Sequence, residues 1–205
     1  MMKSNPDKFK KDRYLYVKEF LSEEERLHCL EILRKAHEQG IYYKDGMCPK
    51  SISYAWDDLD EVLHNKKSFI EEIIGIELIP TYAYARKYLS GEKLFNHVDR
   101  PCCEISITMT LDYVGDLWPI YFLDRDDSAE NMRYYGLYDS EISPFMDTSR
   151  ALKFMIERGD GVLYRGSELF HWRNEYVEGE SQIQAFFHYV NANGPYRYEI
   201  GRAHV

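Results

Sequence analysis

The chain has 205 residues, 44% hydrophobic and 30% charged, which is enough apolar material for one well-packed domain and too much for a disordered chain. Acids outnumber Lys plus Arg by 35 to 26, and the net charge of -9 argues against nucleic-acid phosphates or an anionic membrane surface as partners. Small molecules, peptides and proteins remain. The four cysteines, Cys29, Cys48, Cys102 and Cys103, show no zinc-ligand spacing and read as free thiols of a reducing compartment. The N-terminal stretch has no apolar core of a secretory signal, and no apolar run approaches the ~20 residues of a membrane span, so a cytoplasmic location is expected.

In chain order, residues 1–13 are polar and basic and read as a loose arm. A short strand follows at 14–17. Ser22 and Glu25 form a capping box, after which Leu27, Leu30, Ile32, Leu33 and Ala36 recur at helical spacing until Gly40. A second helix is expected from about Asp57 to Ile74, closed by Gly75. From Leu78 the period changes to two. A strand with bulky alternate positions covers 81–88 and turns at Gly91. The stretch 103–113 alternates Ile105, Ile107, Met109 and Leu111 against Ser106, Thr108 and Thr110. Strands are expected at 119–123, 152–156, 162–164 and 183–190, with a turn at 159–161. Residues 124–150 have no clear period and read as an insertion, either a substrate lid or a solvated loop. Helices first and about eight strands after them predict a mainly β domain, a jelly-roll sandwich with N-terminal supporting helices. One domain is expected over 1–205, with the strand and helices in 1–77 and the jelly-roll core in 78–193.

Two of the seven histidines stand out by context. His97 and Asp99 lie two apart in an extended segment, so both point to one face and can offer an imidazole and a carboxylate to one ion. His171 follows a turn-and-strand sequence that delivers it to a strand end, and completes a set of two His and one carboxylate. That set is the facial triad of non-haem iron oxygenases, which leaves positions open for a cosubstrate and O₂. His28, His37 and His64 fall in helical patterns and read as surface residues. Trp172 points away from His171, toward packing.

The stretch from Tyr88 through Gly91 to His97 and Asp99 resembles the Y-x-x-G-x-x-(Y/L)-x-x-H-x-D signature of the prolyl 4-hydroxylase-like Fe(II)/2-oxoglutarate dioxygenases. Gly159-Asp160-Gly161 through Tyr164 to His171 resembles that family's G-D-x-x-x-(F/Y) segment and its second histidine. The resemblance covers residues 78–193. It implies a double-stranded β-helix, Fe(II) held by His97, Asp99 and His171, 2-oxoglutarate as cosubstrate, and ascorbate as an accessory reductant. It also implies hydroxylation of an unactivated C–H bond, with a prolyl or other amino-acid or peptide side chain, or a small molecule, as substrate and O₂ as oxidant. Retention of Asp99 favours hydroxylation, because related halogenases replace that carboxylate with a small residue.

One departure bears on the cosubstrate. The family places a base nine or ten residues after the second histidine to pair with the far carboxylate of 2-oxoglutarate. Here Glu180 and Ser181 stand there, and no base occurs in 183–190. By strand parity Arg173 shares the face of His171 and ranks first as the substitute cation. Arg86, two before Tyr88, ranks second, with Tyr88, Thr110 and Gln184 assisting. Gln182, Gln184 and His188 alternate on one face of the last strand. Arg100 is a candidate for the substrate mouth. Cys102 and Cys103 are expected to be dispensable thiols with no paired His or Lys close in sequence to lower either pKa. The competing readings are a cupin-like metal- or ligand-binding protein without turnover and a non-haem iron oxygenase using another cosubstrate.

Overall fold

The computed structural model describes residues 6–44, 46, 48–123 and 148–199. Its elements, in chain order, begin with helix α1 (Pro6–Asp12), strand β1 (Tyr14–Val17), helix α2 (Glu23–Glu38), strand β2 (Ile52–Tyr54) and helix α3 (Asp57–Ile74). The strands β3 (Leu78–Leu89), β4 (Leu94–His97), β5 (Ile105–Gly115) and β6 (Ile120–Leu123) follow, with a 3₁₀ turn at Pro101–Cys103 before β5. A second 3₁₀ turn at Thr148–Arg150 precedes β7 (Leu152–Phe154), β8 (Gly161–Tyr164), β9 (Phe170–Arg173) and β10 (Gly179–Asn191). All pairings between these strands are antiparallel. They form a larger sheet in the order β1-β8-β5-β10-β3-β2 and a smaller one in the order β4-β9-β6-β7.

Helices α2 and α3 lie where their sequence signals put them. Ser22 Oγ accepts from the Glu25 N–H at 3.2 Å, while Glu25 Oε2 accepts from the Ser22 N–H at 2.8 Å, so the capping box at the start of α2 is complete. Gly75 closes α3 at φ 67°, a left-handed value that glycine adopts without steric cost. The two helices bury Cys29, Ile32, Leu33, Ala36, Leu59 and Ile70 in one core with Ile105, Ile107, Met109 and Leu111 of β5. Leu27, expected on the buried stripe, is half exposed instead, because it lies on the opposite side of α2 from Cys29 and Leu33.

The alternation of β5 decides what fills the space between the sheets. Its apolar face meets the helices, and its other face sends Ser106, Thr108 and Thr110 inward, all fully buried. β10 runs between β5 and β3 and adds Gln182, Gln184 and His188, also buried. The layer between the sheets is therefore partly polar, an arrangement a purely structural sandwich avoids.

Two further expectations are corrected, and three short strands are added. Residues 6–12 are a helix, not an arm: Phe9 is fully buried in the main core and anchors the segment. Cys103 belongs to the 3₁₀ turn, and the strand begins at Ile105. The short strands β2, β4 and β9 were not legible as alternating runs. The expected lid at 124–150 lies almost wholly outside the described residues; its last residues form the Thr148–Arg150 turn. Among the described residues no helix is long and apolar enough to cross a membrane.

Candidate metal centre

β4 and β9 are neighbours in the smaller sheet, and their register sets His97 directly opposite His171. The two rings lie 4.2 Å apart between centroids. Asp99 follows β4, and its backbone N–H donates to Gly166 O at 2.8 Å, which fixes the loop against the segment leading into β9. Asp99 Oδ1 then sits 3.8 Å from His97 Nε2 and 3.5 Å from His171 Nε2. The three ligand atoms lie within 4.8 Å of one another, and among the described residues this is the one such group of His, Cys, Asp and Glu side chains.

The tautomers suit a metal. His97 Nδ1 is 2.8 Å from Phe95 O, and His171 Nδ1 is 3.0 Å from Leu169 O. A carbonyl only accepts, so each Nδ1 carries the proton and each Nε2 keeps its lone pair for the shared centre. His171 is wedged against Phe122 and Tyr164, with ring centroids 5.7 and 5.0 Å away, and is 3% exposed. Burial, aided by the neighbouring His171, lowers His97 to about 4 and holds it neutral. Burial alone would raise the Asp99 carboxyl; the surrounding imidazoles outweigh it and hold the group ionised, well below the usual carboxylate range. Two imidazole nitrogens and one carboxylate on one side of a centre match the donor set of a facial-triad iron site, so these residues fit that metal.

Arg173 lies two residues beyond His171 on the same face of β9 and is 1% exposed. Its Nη1 donates to Trp118 O, while its Nη2 has no hydrogen-bond partner. The guanidinium sits 5.1 Å from the Trp118 ring, and Trp118 packs against Tyr88 and Tyr176 at 5.0 and 5.1 Å. Burial lowers Arg173 to about 10, the mark of a cation enclosed without a matching anion. Gln182 holds the Trp118 backbone, accepting from its N–H at 2.7 Å. Trp118 and Tyr176 escaped the sequence reading because their relation to Arg173 is across elements and leaves no spacing.

The other expected residues are placed as follows. Tyr88 is buried, and the Arg86 guanidinium lies 5.5 Å from its ring. Arg86 Nε donates to Ser53 Oγ at 2.8 Å. Thr110 and Gln184 line the inner face but bond to each other: Gln184 Nε2 donates to Thr110 Oγ1 at 2.7 Å, while Thr108 donates to Gln184 Oε1 at 3.1 Å. Arg100 lies over Tyr82 and donates to its hydroxyl at 2.8 Å. Trp172 stacks on Tyr121 at 5.6 Å, away from the centre. Cys102 and Cys103 are free and buried, with sulfurs 3.9 Å apart. Among the described residues no His or Lys pairs with either thiol, yet a hydrogen bond with Cys103, helped by Arg100, brings Cys102 to about 7. Arg100 is two residues away, but only the turn brings its charge near.

No protein-family model and no curated protein sequence matches the chain. Solved structures do. The α-ketoglutarate-dependent epimerase SnoN from nogalamycin biosynthesis superposes with a TM-score of 0.67 at 12% identity, covering 91% of this chain and 82% of SnoN. HygX from Streptomyces hygroscopicus, solved with nickel and 2-oxoglutarate bound, gives 0.63 at 12% identity over 90% of this chain and 85% of its own. A prolyl-4-hydroxylase from Pseudomonas putida gives 0.61 at 12% identity, over 89% and 95%. The sheet order, the helices packed on the larger sheet and these superpositions agree: the chain has the double-stranded β-helix, or jelly-roll, fold of the Fe(II)- and 2-oxoglutarate-dependent oxygenases.

Proposed function

We propose that the protein is an Fe(II)- and 2-oxoglutarate-dependent dioxygenase that hydroxylates an unactivated C–H bond. The observation that carries this is the convergence of His97 Nε2, His171 Nε2 and Asp99 Oδ1 on one point, with both Nδ1 atoms committed to backbone carbonyls. Bound iron would supply the oxidative chemistry, in which 2-oxoglutarate and O₂ yield succinate and CO₂ and one oxygen atom enters the substrate. The protein's own residues bind and orient. His97, Asp99 and His171 hold the metal. Arg173 offers its unpartnered Nη2 to the far carboxylate of 2-oxoglutarate, an enclosed anion that needs a cation. Tyr88 and Trp118 wall that cation and keep water from it. This supplies the charge that β10 lacks and weakens the case for a different cosubstrate.

The substrate is an amino-acid or peptide side chain or a small molecule. Support comes from the solved neighbours, which include a prolyl hydroxylase bound to a peptide fragment and HygX bound to hygromycin B. The test is succinate formation from 2-oxoglutarate with Fe(II) and ascorbate, followed by a screen of amino acids, peptides and small metabolites for stimulation. Wild-type protein should form succinate and His171→Ala should not. Wild-type protein that binds Fe(II) but never consumes 2-oxoglutarate, with any of these substrates, would sink the reading in favour of a binding protein or another cosubstrate.

A further inference from the structure

We propose that His188 is a positioning residue that sets the orientation of Asp99 through Ser106. The proposal rests on the reading of His97, Asp99 and His171 as metal ligands. Ser106 of β5 and His188 of β10 are directly opposed in the larger sheet, and both side chains are buried between the sheets. Ser106 Oγ has three polar neighbours: His188 Nδ1 at 2.8 Å, Cys103 O at 3.0 Å and Asp99 Oδ2 at 3.1 Å.

A hydroxyl has one hydrogen to give. The carbonyl and the ionised carboxylate only accept. Were the hydrogen turned to Nδ1, both oxygens would face bare lone pairs at hydrogen-bond distance. The assignment that satisfies all three neighbours of the hydroxyl has Nδ1–H of His188 donating to Ser106 Oγ, and Ser106 O–H donating to Asp99 Oδ2 and Cys103 O in a shared bond. Held by Oδ2, the carboxylate turns Oδ1 toward the two imidazoles.

Two further observations agree. A side chain at Gly166 would collide with Asp99 Oδ2, Cys103 O and Ser106 Oγ at once, so a glycine there leaves the room the hydroxyl needs. His188 itself is poorly explained as packing. It is 3% exposed, lies among the rings of Tyr82 and Tyr84 at 4.7 and 5.8 Å, and leaves Nε2 without a partner. An apolar residue would suit that surrounding better, because a buried polar atom with no partner is costly. The bond from Nδ1 to Ser106 is what a histidine adds.

The test is Co(II) binding to the full chain, read as affinity by chelator competition and as the visible absorption of the bound ion. Partners of metal ligands are worth about 10–100-fold in metal affinity, so Ser106→Ala and His188→Phe should each weaken Co(II) about tenfold or more and shift its absorption. His188→Asn places an amide N–H where Nδ1–H stands and should restore affinity to within about threefold of wild type, together with the wild-type spectrum. His188→Gln reaches the Nε2 position instead and should behave like the Phe variant. Equal losses in the Asn, Gln and Phe variants would overturn the proposal, since they would track packing and not the Nδ1 donor. So would wild-type affinity and spectrum in a folded His188→Phe. If the Phe variant does not fold, the contrast between Asn and Gln decides. A wild-type chain that binds no more Co(II) than His171→Ala removes the metal reading and this proposal with it, an outcome distinct from intact binding that ignores position 188.

Discussion

Arg173 carries more consequence than any other single side chain outside the ligand set. It is fully enclosed, one nitrogen has no partner, and no acidic residue forms an ion pair with it among the described residues. Losing one partner of a buried charge pair costs about 3–5 kcal/mol, a hundred-fold to several-thousand-fold in affinity. Arg173→Gln should therefore raise the dissociation constant for 2-oxoglutarate at least tens-fold while Co(II) stays bound, measured by calorimetry on metal-loaded protein. Arg86→Gln should do less, because Arg86 already donates to Ser53 and lies against Tyr88. A larger effect from Arg86 than from Arg173 would reverse the assignment. The buried histidines give a second expectation. Burial lowers both His97 and His188 to about 4, below the value of about 6.5 they hold when unfolded. The unfolded chain then binds more protons in that window, so metal-free stability is fully present above about pH 6.5 and is lost as pH falls toward 4, by at most about 1.4 kcal/mol per unit per histidine. Urea unfolding at stepped pH should show the slope, and His188→Asn should flatten it; a slope unchanged by that substitution would contradict the assignment. At this scale the grouping of His97 with Asp99 and of His171 with Arg173 was legible because parity aligns residues two apart, whereas the joining of the two groups came from the resemblance and is seen in the register of β4 with β9. Ser106, Trp118 and the role of His188 were not legible, since each depends on which strand lies beside which.

Among the elements, the loop before β8 ties the helical layer to the larger sheet. Asp160 accepts from the Tyr16 hydroxyl at 2.7 Å and from the Glu19 N–H at 2.8 Å, while the Leu21 N–H donates to Gly159 O at 2.9 Å. One acidic side chain thus holds both the end of β1 and the link to α2. Asp160→Ala leaves a partly buried N–H and hydroxyl without their acceptor and should cost about 1–3 kcal/mol of stability, read as a lower urea midpoint with an unchanged slope. Co(II) affinity should stay near wild type, because Asp160 touches none of the three ligands; a lost metal site would show that this loop also shapes the centre. The sequence identified the Gly-Asp-Gly turn but offered no partner for its aspartate, because Tyr16 and Glu19 lie far away along the chain. The same limit explains which elements were readable. β3, β5 and β10 are long enough for period-two alternation to stand out, and α2 and α3 carry a cap or a stop. α1 holds one buried apolar residue, Phe9, and β4 and β9 span four residues each, too short for a period to show. Their identity comes from pairing with each other, and the His-x-Asp motif and the later histidine marked their ends before their strands were evident.

The architecture of the whole molecule makes the candidate centre a cross-link. His97 and His171 belong to adjacent strands of the smaller sheet, whereas Asp99 is bonded through Ser106 to the larger one. An ion held by all three residues connects β4, β9 and the loop that bridges the sheets, and none of these contacts survives unfolding. The order of helices before strands made the layered jelly roll legible, and the polar filling between its sheets was visible as the hydroxyl face of β5 and the alternating Gln182, Gln184 and His188 of β10, though not as one layer. Only the native state brings His97, Asp99 and His171 together, so an ion held by all three would appear as stability. At a free Co(II) concentration one hundred times the dissociation constant, linkage gives about 2.7 kcal/mol, less any affinity of histidines in the unfolded chain. For a domain of this size each kcal/mol moves the midpoint by about 2–4 °C, so Co(II) should raise the thermal midpoint by about 5–10 °C and excess chelator should reverse the rise. His97→Ala and His171→Ala should keep the metal-free midpoint within a few degrees of wild type and lose the shift. Ser106→Ala should retain a reduced shift at the same Co(II) concentration, because its ligands are intact and only their orientation is loosened. An equal shift in wild type and His171→Ala, measured by differential scanning calorimetry, would mean that the ion stabilises the fold from somewhere other than this centre.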